Sequence, residues 1–206
     1  GSGGRVGRRR GNLAQLLKNL IDLPGDFRIR LSSLEVTEVS EELLELAQSS
    51  SKICRHFHLP LQSGDDLILR RMGRWYDSRY FRAQLQDILR LLPDAGLTTD
   101  VIAGFPGESD EHFENTRKFL EDHFNGLHVF PFSVRKGTPA ARLADPCKPE
   151  VIRERVNALL DLDKRLRIRF RRKFFGENKR VLAESDGGFT DNGIRVLPPL
   201  PFREGS

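Results

Sequence analysis

The chain contains very few cysteines, and this scarcity excludes several classes of protein. Cys54 and Cys147 are the only two among 206 residues. A single pair so far apart provides no disulfide framework, so a reducing compartment, the cytoplasm, is expected. No apolar run approaches the length of a membrane-spanning helix, and the basic start GSGGRVGRRRG lacks the apolar core of a secretory signal. The sequence therefore predicts neither a disulfide-stabilised secreted protein nor a membrane protein.

Familiar catalytic signatures are also missing. The sequence contains no evident Ser/His/Asp triad, P-loop or dinucleotide fingerprint. The composition, 38% hydrophobic and 31% charged, is typical of a globular protein. The net charge of +5 and the isoelectric point near 9.5 allow an acidic partner such as RNA, although many enzymes are equally basic. Residues 1–11 are expected to be a linker or disordered.

Short apolar runs alternate with amphipathic stretches along most of the chain. Four runs are predicted to be strands: Phe27–Glu35, His56–Gln62, Leu97–Phe105 and Leu127–Val134. Four further stretches are predicted to be helices: Asp65–Met72, Ser78–Leu92, Asp110–Phe124 and Pro149–Phe175. This alternation favours parallel βαβ units, which right-handed crossovers would wind into an open sheet or an arc of a barrel.

The two ends of this pattern carry local signals. Ser40 is a candidate N-cap for another helix, whose apolar stripe contains Leu43, Leu44 and Ala47. After Gly176 two short β-like pieces, Arg180–Ser185 and Gly193–Leu197, surround an Asp-Gly-Gly sequence that is typical of a hairpin turn. The proline-rich end offers no further fold.

The stretch from Asp100 to Glu108 is the most informative for chemistry. A predicted strand ends in Gly104 and Gly107 around a proline and is followed by the candidate N-cap Ser109. These glycines would let backbone N–H groups approach a ligand, and parallel folds place ligands at the carboxyl ends of strands. A tight turn without a ligand is the alternative.

A second candidate site follows the strand that ends near Pro60. Gln62 and Ser63 lie at that strand end, and Arg71 and Arg74 are three residues apart, on neighbouring parts of a predicted helix face. The two guanidinium groups would suit a carboxylate or a phosphate. A solvated basic surface is the alternative.

Cys54, His56 and His58 share one face of the chain if this stretch is extended. Their chemistry would suit zinc, but a fourth ligand is missing and the spacing is not that of a zinc finger. Side-chain packing or substrate contact is the favoured interpretation, so no metal ligand is predicted.

Two other stretches offer polar or basic contacts. Ser133 to Thr138 closes the fourth predicted strand with Ser, Arg and Thr side chains, which suit a ligand or a polar loop. The run Arg165–Lys173 is strongly basic, and its charges would spread around a helix. A solvated helix end is favoured there over contact with an RNA backbone.

Four stretches, taken in order, resemble the methylthiotransferase family of radical S-adenosylmethionine (SAM) enzymes. They are RIRLSSLEVTEVSEELLELA, KICRHFHLPLQSGDDLILRRMGR, TDVIAGFPGESDEHFENT and FPFSVRKGTPAARL. The resemblance runs from about Asn12 to about Val196. SSLEVTE and KICRHFHLPLQSG are most similar to the threonylcarbamoyladenosine tRNA methylthiotransferases, which add a methylthio group to the modified adenosine beside the anticodon. Sister branches act on isopentenyladenosine in tRNA and on a ribosomal protein.

The resemblance implies a partial (β/α) barrel that binds SAM, between an N-terminal domain with an auxiliary cluster and a C-terminal TRAM domain that grips RNA. A CxxxCxxC loop in such enzymes supplies three thiolates to a [4Fe–4S] cluster. Neither Cys54 nor Cys147 belongs to such a motif, and the resemblance begins after it. Residues 12–176 are therefore expected to be the later strands of the barrel, and residues 177–206 the opening of a truncated TRAM-like segment.

The resemblance also implies roles for particular residues. Gln62, Ser63 and Arg74 would lie near the ribose or carboxylate of SAM. Gly104 and Phe105 would line its adenine and ribose. Ser133 and Arg135 would face the reacting adenosine or SAM.

The sequence thus predicts part of a tRNA methylthiotransferase that is inactive alone because it cannot bind the cluster. Its expected partners are tRNA and the missing N-terminal half of the enzyme, with no role for DNA or a membrane. Two alternatives are a cluster-free RNA-binding or scaffold protein derived from the same barrel, and part of the isopentenyladenosine branch. A cluster-independent enzyme of another kind lacks a supporting nucleophile or acid–base pair.

Overall fold

The computed structural model describes residues 13–184 and 187–197. The predicted linker over residues 1–11 and the proline-rich end lie outside the described residues. The described part consists of α1 (Leu13–Ile21), β1 (Ile29–Leu31), α2 (Glu41–Ser49), β2 (Ile53–His58), α3 (Asp66–Arg71), α4 (Ser78–Leu91), β3 (Gly96–Ala103), α5 (Asp110–His123), β4 (Gly126–Pro131), α6 (Pro149–Arg172), β5 (Val181–Glu184), β6 (Gly187–Thr190) and β7 (Arg195–Val196).

The main sheet has four parallel strands in the order β1-β2-β3-β4. Each strand therefore lies beside the next one in the chain, as consecutive βα units do in an arc of a barrel. The register places His58 beside Thr98 and Asp100 beside His128. The predicted parallel α/β fold with a long later helix is confirmed.

Short polar residues begin the helices, as their sequence positions indicate. Ser40 accepts a hydrogen bond from the Leu43 amide at the start of α2. Ser109 caps α5 in the same way, by accepting from the His112 amide. Asp65 begins α3 and accepts from two amides of its first turn. Each such cap contributes about 1 kcal/mol to stability, because it pairs an amide that lacks a partner within the helix.

The hydrophobic core lies between the sheet and its helices. Phe57, Phe81, Leu85 and Phe124 are completely buried and belong to one continuous apolar cluster. Alternation along β2 turns Phe57 into this core and turns His56 to the opposite face. That opposite face is polar and lines a cavity of about 640 Å³, whose other walls include residues of α6 such as Phe170.

Several predicted boundaries were wrong. The second strand runs over Ile53–His58 and not over His56–Gln62, because Pro60 cannot donate a ladder hydrogen bond. Gln62 forms only an isolated bridge to Val101. The third strand ends at Ala103, two residues earlier than predicted. The helix α1 was not predicted.

A small antiparallel sheet follows α6, in the order β5-β6-β7. β5 and β6 pair as an antiparallel hairpin, as the Asp-Gly-Gly sequence indicated, but Gly187 and Gly188 lie within β6 and not in the turn. Residues 185 and 186 lie outside the described residues. The turn between β6 and β7 contacts the loop that precedes β3, where the side-chain amide of Asn192 donates to the Asp94 carbonyl, at 3.1 Å.

The helix α6 contains 24 residues and ends in arginines. Its length would suffice for a membrane, but charged side chains interrupt every apolar stretch of it. None of the helices in the described part of the chain combines the length and the apolarity that a membrane crossing requires.

Candidate functional site

An open cavity of about 920 Å³ lies beyond the carboxyl ends of β2, β3 and β4. Its size falls in the range of pockets that hold a ligand the size of a nucleoside. Apolar and basic side chains share its wall. The lining residues include Gln62, Arg71, Arg74, Asp100, Ile102, Phe105, Phe132, Ser133 and Arg135. The structure thus brings together five of the seven residues that the sequence predicted for the site.

Gln62 occupies a strained position at this edge. Its φ of 74° is in the left-handed region, which is unfavourable for a residue with a side chain. The backbone is held there on both sides, since its amide donates to the Asp100 carbonyl at 2.9 Å and its carbonyl accepts from the Ile102 amide at 3.0 Å. A costly conformation fixed by neighbouring strands is typical of a functional position.

Ser63 lies elsewhere, although the sequence predicted it beside Gln62 in the site. Its side chain is fully buried. The Ser63 hydroxyl lies 3.0 Å from that of Thr116 and accepts from the Asp65 amide at 3.2 Å. It therefore joins the start of α3 to α5 and is absent from the residues that line the cavity. The geometry supports a structural role for Ser63, not the predicted contact with SAM.

Arg71, Arg74 and Arg135 form a basic edge of the cavity. The prediction that Arg71 and Arg74 share a helix face was wrong, because α3 ends at Arg71 and Gly73 turns the chain with a φ of +74°. Arg74 is held loosely, 3.8 Å from a carboxylate oxygen of Glu35. These guanidinium groups suit a ligand with a carboxylate or a phosphate.

The loop from Gly104 to Glu108 has the glycines that the sequence predicted, but they serve another purpose. Gly104 and Gly107 both have a positive φ, +81° and +80°. The Gly104 amide donates to Glu108 Oε2 at 2.8 Å, and the Gly107 amide donates to the Asp145 carbonyl at 2.8 Å. Of the two interpretations of this stretch, the structure therefore favours the tight turn whose amides are not open to a ligand.

The same glycines allow close packing of protein on protein. A Cβ on Gly104 would lie 2.4 Å from a side-chain carbon of Ile152, and one on Gly107 would meet the guanidinium of Arg71. Gly104 itself does not line the cavity, whereas the adjacent Phe105 does. The loop thus presents Phe105 to a ligand and keeps its own amides occupied.

A buried ion pair fixes this loop from behind. Arg155 Nη1, from α6, donates to Glu108 Oε2 at 2.8 Å and to the Glu108 carbonyl at 2.9 Å. Burial raises the pKa of the Glu108 carboxyl, while the Gly104 amide and Arg155 oppose that rise. Sequence reasoning missed Arg155, because its neighbours along α6 are also charged and no local signal sets it apart.

Aromatic rings complete the wall on the β4 side. Phe105 and Phe132 contact each other edge to face, with ring centroids 5.2 Å apart. Phe105 is only 4% exposed, so it is held rigidly at the base of the cavity. Ser133 and Arg135 are exposed residues that follow β4 and lie at the rim. An apolar base with a basic edge suits an adenine ring joined to an acidic or carboxylate group.

The two thiols do not form a cluster site. Cys54 is buried in β2 and lines the cavity of about 640 Å³ on the polar face of the sheet, opposite the hydrophobic core. This polar face is the inner face of the sheet. Cys147 Sγ lies 3.6 Å from Arg155 Nη1 and from the Glu108 carbonyl. Burial raises the pKa of both thiols, which disfavours the thiolate that iron requires. Two cysteines with separate surroundings do not fit a [4Fe–4S] cluster, so no step is assigned to one here.

Cys54, His56 and His58 do share one face, as predicted, since all three line the cavity on the inner side of the sheet. Burial, together with the nearby charge of Arg30, lowers the pKa of His56 to about 4. His56 is therefore neutral at pH 7. Its Nε2 lies 3.2 Å from the Thr98 hydroxyl.

Comparisons with known proteins identify relatives that match most of this chain. The chain is 39% identical over 183 residues to threonylcarbamoyladenosine tRNA methylthiotransferase MtaB of Thermotoga maritima, covering 88% of this chain and 42% of that protein. It is 35% identical over 176 residues to tRNA-2-methylthio-N(6)-dimethylallyladenosine synthase of Pelotomaculum thermopropionicum, covering 85% of this chain and 39% of that protein. The chain thus spans less than half the length of these curated relatives.

A solved structure shares the fold. Coproporphyrinogen III oxidase (HemN) of Escherichia coli, a radical SAM enzyme, superimposes with a TM-score of 0.59 at 19% identity, over 74% of this chain and 36% of that one. At this identity the likeness concerns the fold alone. Residues 8–120 match the family model described as the radical SAM superfamily. The predicted resemblance is confirmed: the chain belongs to the radical SAM superfamily, and its relatives named above are tRNA methylthiotransferases.

Proposed function

We propose that this chain is the SAM-binding later part of a tRNA methylthiotransferase that acts on N6-threonylcarbamoyladenosine beside the anticodon. The observation that most supports this proposal is the cavity at the carboxyl ends of three parallel strands, with Phe105 at its base and three arginines at its edge. The identity of 39% to a relative named for that substrate supports the branch. The cytoplasm, where such tRNA is modified, is the compartment that this function implies.

The residues of the cavity divide the binding of SAM between them. Arg74 would pair with its carboxylate, and the side-chain amide of Gln62 would hydrogen-bond to the ribose. Phe105 would pack against the adenine, where burial of apolar surface supplies affinity. Ser133 and Arg135, at the open rim, would contact the target nucleoside. SAM, when bound beside a reduced cluster, supplies a carbon-centred radical.

This binding can be tested without a cluster by titrating the purified chain with S-adenosylhomocysteine in a calorimeter. Saturable binding is expected, and Arg74→Ala and Phe105→Ala should each weaken it. Arg90→Ala is the matched control, since Arg90 is an exposed arginine that pairs with Glu41 on the far side of the fold. No binding, or equal weakening by the control, would contradict the assignment of the cavity.

We further propose that the chain alone is catalytically inactive, because it has only two cysteines and their surroundings differ. Anaerobic supply of iron and sulfide should leave no stable species with about four irons per chain. A stable brown protein with that iron content would contradict this part of the proposal and leave the SAM site untouched.

An RNA-binding function without chemistry is the second candidate, and one surface favours it. The end of α6 exposes Arg165, Ile168, Arg169, Arg172 and Lys173 around a shallow depression. Binding of tRNA that weakens steeply with salt would indicate phosphate contacts. No binding at low salt would exclude this candidate. Preference for an anticodon stem-loop with threonylcarbamoyladenosine over one with isopentenyladenosine would favour the proposed branch over its sister.

A further inference from the structure

Three side chains from adjacent strands converge on the inner face of the main sheet. His58 ends β2, Asp100 lies in β3, and His128 lies in β4. Asp100 Oδ1 is 3.2 Å from His58 Nε2 and 3.3 Å from His128 Nδ1. All three potential ligand atoms lie within 4.8 Å of one another. Nothing in the proposed binding of SAM uses the two histidines.

These distances suit a metal ion. Zinc binds imidazole nitrogen and carboxylate oxygen at about 2.0–2.1 Å, so two ligand atoms in a tetrahedral site lie about 3.3 Å apart. The two distances that join Asp100 Oδ1 to the histidine nitrogens already have about this length. The third distance, between His58 Nε2 and His128 Nδ1, is at most 4.8 Å and would have to shorten to reach the tetrahedral value. The His128 side chain is 54% exposed and stacks on the His58 ring with centroids 4.9 Å apart, so this closure requires the two stacked rings to tilt toward each other.

His58 is held in an orientation that suits a ligand. Its Nδ1 lies 3.0 Å from the Thr98 hydroxyl, which also lies 3.2 Å from His56 Nε2. With a proton on Nδ1, His58 donates to Thr98 and its Nε2 lone pair faces Asp100 and His128. Histidine ligands in metal sites typically have such a partner on the second nitrogen, because it fixes the ring and its tautomer.

Five arginines line this cavity: Arg28, Arg30, Arg167, Arg171 and Arg195. Arg167, from α6, is neutralised locally, because both carboxylate oxygens of Asp163 accept from its Nε at 2.8–2.9 Å. Arg30, from β1, also lines the cavity, and its guanidinium lies over the ring of Phe189, 5.7 Å from the centroid. Asp100, at the centre of the group, supplies the negative charge.

We propose that His58, Asp100 and His128 bind a divalent transition-metal ion of the zinc class. Two imidazoles and one carboxylate favour such ions over magnesium or calcium, which prefer oxygen ligands. Three protein ligands leave a coordination position open to the cavity. The sequence did not predict this site, because its ligands come from three separate strands and only His58 belongs to the motif that was considered.

The test is a titration of the purified, reduced chain with Zn²⁺, in competition with a chromophoric chelator. One ion per chain is expected, and His128→Ala should remove this saturable binding without unfolding the protein, since His128 is exposed. Thr98→Val, which keeps the side-chain shape, should weaken it about tenfold through the orientation of His58. His123→Ala is the matched control, because His123 lies on α5 against Phe119 and should leave binding unchanged.

Cobalt identifies the ligands independently. Co²⁺ bound by nitrogen and oxygen should give visible bands of a low-symmetry site without a thiolate charge-transfer band. A thiolate band, or loss of binding in Cys54→Ser, would overturn the proposal by assigning the ion to a cysteine. No saturable binding, or binding that His128→Ala leaves intact, would also overturn it and leave a hydrogen-bonded triad without an ion.

Discussion

The buried pair of Arg155 and Glu108 gives a prediction whose magnitude follows from burial. The Glu108 side chain is 1% exposed and the Arg155 side chain 7%. Removing one partner of a buried pair leaves an uncompensated charge, which costs about 3–5 kcal/mol. Arg155 also pairs with Asp110, but that carboxylate is 99% exposed, and a solvent-exposed pair contributes at most about 1 kcal/mol. We therefore expect Arg155→Met to lower the free energy of unfolding by about 4 kcal/mol.

A double-mutant cycle separates the unpaired charge from the lost packing. Glu108→Gln alone keeps an oxygen that accepts from the Gly104 amide and should cost about 1–3 kcal/mol. Adding Glu108→Gln to Arg155→Met removes the charge that the first change left unpaired. The double variant should therefore be less destabilised than the sum of the two single variants, by about 2 kcal/mol. The assay is urea unfolding with linear extrapolation at a common slope.

The pH dependence of Arg155→Met gives a second readout of the same cause. Burial raises the pKa of Glu108 above its ordinary value, and removal of Arg155 should raise it further. A carboxyl whose folded pKa exceeds its unfolded pKa stabilises the fold below the unfolded value, and this contribution is lost as pH rises through the folded value. The difference in stability between wild type and Arg155→Met should therefore be largest at pH 8 and shrink toward pH 4. The reasoning would be refuted if the effects of the two single variants were additive and if the difference in stability between wild type and Arg155→Met did not change with pH.

Two further predictions compare residues that differ in one respect. Gly104→Ala should lower the free energy of unfolding by about 3 kcal/mol, because of the positive φ and because the new Cβ overpacks against Ile152. Gly73→Ala, with nothing within 4 Å of the new Cβ, should lower it by only about 1 kcal/mol. Equal losses in thermal or urea unfolding would contradict this account of the loop. Ser63→Ala should lower stability by about 1–2 kcal/mol without changing the affinity for S-adenosylhomocysteine, whereas Gln62→Ala should lower that affinity; a loss of affinity in the first variant would restore Ser63 to the site.

The sequence predicted best those features that depend on neighbouring residues. Ser40 and Ser109 each cap a helix whose first turn follows directly, so the signal and its consequence lie within four residues. The alternation of strands and helices gave the parallel sheet for the same reason. The boundaries failed where a distant partner decides them, as at Gln62, which is held by the carbonyl of Asp100.

The candidate site was predicted in outline and misjudged in detail, because its details depend on distant contacts. The sequence correctly indicated that Gly104 and Gly107 need an unusual backbone conformation. It did not indicate that their amides donate to Glu108 and Asp145. The carboxylate of Glu108 in turn depends on Arg155, 47 residues further along the chain. A pattern of residue types cannot indicate which of many arginines reaches a given carboxylate.

The inner face of the sheet explains why stability and binding are separable in this protein. Alternation along the strands places Phe57 against the helices and His56 and His58 on the other side. A polar side chain that is buried without a partner costs about 1–3 kcal/mol, and His58 avoids that cost by contacting Thr98 and Asp100. His56 Nδ1 is buried without a partner, so substituting His56 removes an unfavourable unpaired group, and substituting His58 should alter ligand or metal binding before it unfolds the chain. A change on the core face, such as Phe57→Ala, should instead lower the free energy of unfolding by about 3–5 kcal/mol.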